Sequence, residues 1–336
     1  MVEKTHYETV DYYVLPEKYH FDHDYCIYLY DQLTKIMSQG EKLGVFGQNI
    51  KIKKKLPKLK GEDLFNWLRK NGFSRQAKHF MVKNVFAATL SDALQFFSTA
   101  LQCSFKGKLS VTYATLRKPL KDNLFILELL NVNKKDFFKR FKNPSELLEI
   151  RGFSPQDKKE IINRNCEKIK FSANFNDIIY DLRYSKSAKG FEPLFQKASH
   201  ITTKVKQFQT EEENLNFIFS NDESLDSQWR KLYRVLPFLL RYFVDTSYHI
   251  LNNNITKRIK DELNFIDILY YSRHYPRFIE GMPFKLYCKK CKKSNKANKK
   301  TLDLCEKNGM YTCPCGEQES ILNVEMLKVE SAQSKA

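Results

Sequence analysis

Apolar residues recur at three- and four-residue spacing along most of this chain, and these stripes predict a mainly α protein built as a multi-helix bundle. The clearest stripes lie between 74 and 131. Val82, Phe86, Leu90, Ala93, Leu94, Phe97 and Leu101 share one helical face, with Ser74 as the expected cap. After a break at Lys106-Gly107-Lys108, a second helix carries Tyr113, Leu116, Leu120, Leu124, Leu127 and Leu130, and Pro119 should kink it or mark its first turn. Two long amphipathic helices joined by so short a turn fold back on each other. A third is expected from Asp226 to Asn252, with Trp229, Leu232, Val235, Leu236, Leu239, Phe243 and Ile250 on its stripe and a kink at Pro237. Further helices are expected at about 22–39, 61–67, 134–142, 145–150, 155–169, 174–182, 191–199 and 256–272, with 203–226 as a polar surface excursion. The domain reading is an N-terminal helix and basic linker over 1–60, the bundle over 61–283, a small C-terminal unit over 284–323 and a flexible tail over 324–336.

Composition narrows this picture. Eleven Gly and ten Pro are too few for the many tight turns of a sandwich or barrel, while 26 Phe and 18 Tyr can furnish a large core. Fifty-seven Lys plus Arg against 39 Asp plus Glu leave +18, an excess that favours polyanionic partners, with nucleic acid (RNA or DNA) first among them. A Lys- and Asn-rich codon usage leaves the same imprint. The run Lys51–Lys60, which includes Lys53, Lys54 and Lys55, is either a solvated linker or a phosphate-contacting strip. No apolar run approaches the roughly 18 residues of a membrane span, and the first residues lack a basic-then-apolar signal. The expectation is a soluble cytoplasmic protein whose eight cysteines serve as metal ligands and buried thiols.

Four of those cysteines are spaced for a metal. Cys288-x2-Cys291 sets two sulfurs on one tight turn, and Cys313-Pro-Cys315-Gly316 supplies a second pair, with Gly316 free to adopt the positive φ of a knuckle. The predicted ligands of a structural Zn2+ are Cys288, Cys291, Cys313 and Cys315. This stretch resembles the zinc-ribbon family over roughly 35 residues, although one residue is missing between the second pair, which makes Cys305 the reserve ligand. Four thiolates leave no open coordination position, so the metal is structural rather than catalytic. Lys289, Lys290, Lys292 and Lys293 rim the site. They serve either to balance the formal −2 of the centre or to form a phosphate-binding surface, and docking on a partner protein is the remaining alternative.

Motifs that would name a reaction are missing: no Gly-x4-Gly-Lys-Ser/Thr, no His-Glu-x-x-His and no Gly-x-Ser-x-Gly. Arg241, Asp245 and His249 share a face of the third long helix at successive i, i+4 steps. They read either as an intrahelical ion-pair row or as a general acid–base set acting on RNA. Asp181, Arg183 and Tyr184, with His200 downstream, form a second polar group. His20 and His23 with Asp22 and Asp24 form a third, in which the aspartates are also expected as caps. Ala114-Thr-Leu116-Arg117-Lys-Pro-Leu120 followed by Leu124 resembles the second core helix of HEPN-like proteins. That resemblance implies a bacterial phage-defence protein and, in the sharper reading, a metal-independent ribonuclease effector of abortive infection. Lys121 stands where that family carries Glu, and no histidine satisfies its Arg-x4–6-His spacing.

Overall fold

The stripes become helices whose apolar faces meet around one long element. The structure, a computed structural model, describes residues 15–47, 49–52, 61–141, 150–171, 176–187, 189–202, 222–259, 264–274 and 284–328. It divides into two units, Met1–Lys260 and Asp261–Ala336. The sequence reading placed that boundary at 283/284.

In the first unit, α1 (His20–Lys42) follows a 3-10 turn, and α2 (Gly61–Lys70) precedes the long α3 (Ser74–Phe105). Asp22 lies buried inside the first turn of α1. Ser74 is the first residue of α3 rather than its cap; Phe73 takes the cap position and the Ser74 hydroxyl donates to the Arg69 carbonyl at 3.5 Å. The second predicted helix is three pieces: α4 (Leu109–Arg117), a π-helical turn (Lys118–Asn123) and α5 (Leu124–Val132). Pro119 has no N–H to give and its ring crowds the preceding turn, and the π turn absorbs both defects without ending the element. Then come α6 (Lys134–Arg140), α7 (Pro155–Ile169), α8 (Asn176–Tyr184) and α9 (Glu192–Ser199). A capping box at Ser154 and Asp157, with Pro155 at the first helical position, starts α7 where the sequence places it. The helix expected at 145–150 up to residue 149, the 203–226 excursion up to residue 221 and Lys53, Lys54 and Lys55 lie outside the described residues.

The centre is α10 (Asp222–Ile250), which runs on through Pro237 and closes in a π turn, Leu251–Ile255. Leu232, Leu236, Leu239, Leu240, Phe243 and Val244 are fully buried, and α1, α5 and α7 pack around it. A helix buried on nearly every side belongs at the middle of a bundle. The helix expected at 256–272 is shorter and later, α11 (Phe265–His274), and falls in the second unit. One glycine is required by a close approach: a Cβ on Gly190 would sit 2.3 Å from the Asp181 carbonyl oxygen. There Phe191 N–H donates to Leu182 O at 2.8 Å, tying the start of α9 to the end of α8, which carries Arg183.

Among its described residues the second unit holds five short strands: β1 (Phe284–Tyr287), β2 (Ser294–Lys296), β3 (Met310–Thr312), β4 (Gln318–Ser320) and β5 (Glu325–Lys328). β1 lies between β2 and β5, antiparallel to both, and β3 pairs with β4. The mainly α fold with a small C-terminal β knuckle is therefore as the sequence predicts. Two details differ. The interval between the cysteine pairs holds a helix, α12 (Lys299–Asn308), capped by Asn298 and ended by Gly309 at φ 64°. Residues 325–328, assigned to the tail, are a strand, because pairing with β1 satisfies their backbone groups.

Candidate metal centre

Each cysteine pair sits on its own turn. In the first, Lys292 N–H donates to Cys288 O at 2.9 Å and Cys288 N–H donates to Lys293 O at 3.0 Å; Lys292 adopts φ 59° to close the turn. In the second, Gly316 N–H donates to Cys313 O at 2.8 Å and Cys313 N–H donates to Glu317 O at 2.8 Å, with Gly316 at φ 89°. Only a residue without Cβ takes that conformation at no steric cost. The turn closes on Gly316, so the missing residue between Cys313 and Cys315 is accommodated and both sulfurs point to one place.

The four Sγ atoms lie within 4.8 Å of one another and can hold one metal ion. Cys288 Sγ is 3.7 Å from Cys315 Sγ, and Cys291 Sγ is 3.7 Å from Cys313 Sγ. Cys305 is not among them. It is buried on α12, and burial pushes its thiol up to about 11. The backbone N–H of Cys291 holds the Cys288 thiol down at about 7; desolvation opposes this, and the N–H of Lys290 adds to it. Asn295 Nδ2 donates to Cys313 Sγ at 3.4 Å and to the Tyr311 hydroxyl at 3.1 Å, so an amide on β2 steadies a ligand on the opposite turn.

The lysine rim divides. Lys289 Nζ donates to Glu319 Oε1 at 2.8 Å and to Asn323 O at 3.2 Å, and Lys290 Nζ donates to Glu317 Oε2 at 2.8 Å. These two lock the first turn to the β3–β4 hairpin. Lys292 and Lys293 are exposed.

Compared with protein-family models, curated proteins and solved structures, the chain matches none of them. Nothing in those comparisons supports the HEPN-like resemblance of Ala114–Leu124.

In the helical unit, Arg241 Nη2 donates to Asp245 Oδ1 at 2.6 Å, with Arg241 buried. His249 turns instead to Asn131, its Nδ1 lying 2.9 Å from Oδ1. Arg183 and Tyr184 do come together: Arg183 Nη2 donates to the Tyr184 hydroxyl at 2.8 Å. His23 is packed against Phe105 and its Nδ1 lies 2.8 Å from the Tyr233 hydroxyl, a core arrangement. Among the described residues, the four cysteines are the group of potential ligands close enough for a metal.

Sequence reasoning missed a buried polar chain. Arg183 Nη1 donates to Glu128 Oε1 at 2.5 Å, and the Tyr242 hydroxyl donates to the same oxygen at 2.7 Å. Asn165 Nδ2 donates to Tyr242 and to Thr246 Oγ1, both at 2.8 Å, and Asn131 Nδ2 donates to Asn165 Oδ1 at 2.7 Å. One signal was present: Glu128 and Asn131 interrupt the otherwise apolar run from Leu124 to Val132. Among the described residues, no helix is long and apolar enough to cross a membrane.

Proposed function

We propose that this chain is a basic, zinc-stabilised helical protein that binds nucleic acid through the lysine-bearing face of its C-terminal metal unit. The observation that carries the reading is the sulfur geometry. Four thiolates at about 2.3 Å from a tetrahedral Zn2+ are about 3.8 Å apart, and two of the sulfur pairs lie at 3.7 Å. Residues 284–328 also hold few buried side chains, so the metal supplies much of their folding energy.

The charge favours a polyanion over simple compensation. Ten lysines stand against five acidic residues between 284 and 328. The formal −2 of a four-thiolate zinc centre leaves a positive surplus. Lys289 and Lys290 are paired with glutamates, and Lys292 and Lys293 stay exposed to meet phosphates. A +18 chain adds long-range attraction.

Two measurements on the full chain test this. Metal analysis should find one zinc per protein. Binding to a fluorescent single-stranded RNA and to a duplex DNA, measured by anisotropy, should weaken steeply between 50 mM and 200 mM salt, by at least about tenfold. Binding that is flat with salt, or a metal-free protein with an intact C-terminal unit, removes the proposal. Salt-insensitive capture of a defined protein by the metal unit would instead favour docking.

A further inference from the structure

The buried chain of hydrogen bonds has a direction, and it ends at His249. Glu128 Oε1, facing the Arg183 guanidinium, can only accept, so the Tyr242 hydroxyl spends its one proton on it. Tyr242 oxygen then accepts from Asn165 Nδ2, which turns Asn165 Oδ1 toward Asn131 Nδ2. Asn131 is left presenting its oxygen, so His249 must donate from Nδ1 at 2.9 Å. The neutral imidazole is held as the Nδ1–H tautomer, which leaves Nε2 as the bare nitrogen of a half-buried ring.

Two lysines gather at that outer end. Lys168 Nζ, from α7, donates to Asn131 O at 2.8 Å, and Lys134 Nζ, from α6, donates to Asn254 Oδ1 just beyond His249 on the closing π turn. Their partners are neutral amides; neither lysine meets a carboxylate among the described residues. Asp245, one turn back on α10, is taken by Arg241, and His79 of α3 contacts Asn254 O at 2.9 Å.

We infer that His249 Nε2, Lys134 and Lys168 form a phosphate-binding site on the helical unit, separate from the metal centre. Three cationic or cation-capable groups gather around Asn131 and Asn254 with no carboxylate partner among the described residues, both lysines are exposed, and the half-buried imidazole is oriented by the buried chain. Burial, then Lys168 and Lys134, lower the His249 pKa, and Lys168 adds to the desolvation that lowers Lys134. A bound phosphate reverses this repulsion: His249 takes up a proton and donates from Nε2, so binding tightens as pH falls. The inference does not rest on the nucleic-acid reading of the metal unit.

The test is imidazole 15N NMR of the full chain. His249 should show a protonated Nδ1 and a bare Nε2 above its midpoint. Inorganic phosphate should raise that midpoint by about one pH unit relative to chloride of equal ionic strength. Lys134→Met with Lys168→Met, both exposed positions, should abolish the phosphate response while leaving the tautomer unchanged. A short single-stranded DNA acting at lower concentration than phosphate assigns the site to a phosphodiester backbone; response to phosphate alone assigns it to a free phosphate. An unmoved midpoint with both ligands, or one that moves equally in the double variant, overturns the site.

Discussion

Arg183 and Glu128 meet across 2.5 Å with both side chains fully buried, joining the end of α8 to the middle of α5. Burial opposes the Arg183 charge, but Glu128, helped by Tyr184 and Tyr242, outweighs it, and together they hold the guanidinium above its usual range. Removing one partner leaves the other charged and unpaired inside the core. Arg183→Met should therefore cost about 3–5 kcal/mol in urea unfolding, and adding Glu128→Leu should recover most of it. Equal losses in the single and double variants would show that the pair is not the reason for the cost.

His23 sets an acid limit on the helical unit. Burial, with a smaller push from His20, lowers its pKa from 6.5 to about 4. The unfolded chain binds a proton near pH 6.5 and the native state does not until about pH 4, so this contribution is complete above 6.5 and is lost as pH falls between those values. The loss reaches about 3 kcal/mol at pH 4. Chemical denaturation from pH 7.5 to 4.5 should show the slope, and His23→Gln should flatten it.

Ligand assignment can be read from metal content. Cys315→Ser should leave well under one zinc per chain, whereas Cys305→Ser should keep it, at a stability cost of about 1–3 kcal/mol for a buried hydroxyl without a designed partner. The reverse pattern would make Cys305 the fourth ligand.

The two kinds of rim lysine should separate in binding assays. Lys292→Gln with Lys293→Gln should flatten the salt dependence of nucleic-acid binding by about 2 in log–log slope, one for each phosphate contact. Lys289→Gln with Lys290→Gln should change it less and instead loosen the metal unit, since those lysines hold Glu319 and Glu317. Identical slopes in the two variants would sink this division.

Local chemistry was legible in the sequence. Helix stripes, the start of α7 at residue 155, the cysteine spacing and the need for Gly316 depend on neighbours within a few residues, where backbone geometry and propensity decide the outcome. Pro119 was legible as a defect, but not its remedy, since a π turn and a kink answer the same missing N–H. Tertiary structure decided the rest. Only packing of α5, α7 and α10 could bring Glu128, Asn165 and Tyr242 together from positions up to 114 residues apart. It also separated Cys305 from the metal set, drew residues 325–328 into the sheet and turned His249 from Asp245's face toward Asn131. A side chain's spacing along its own helix predicts which face it shares; what that face meets depends on elements remote in sequence.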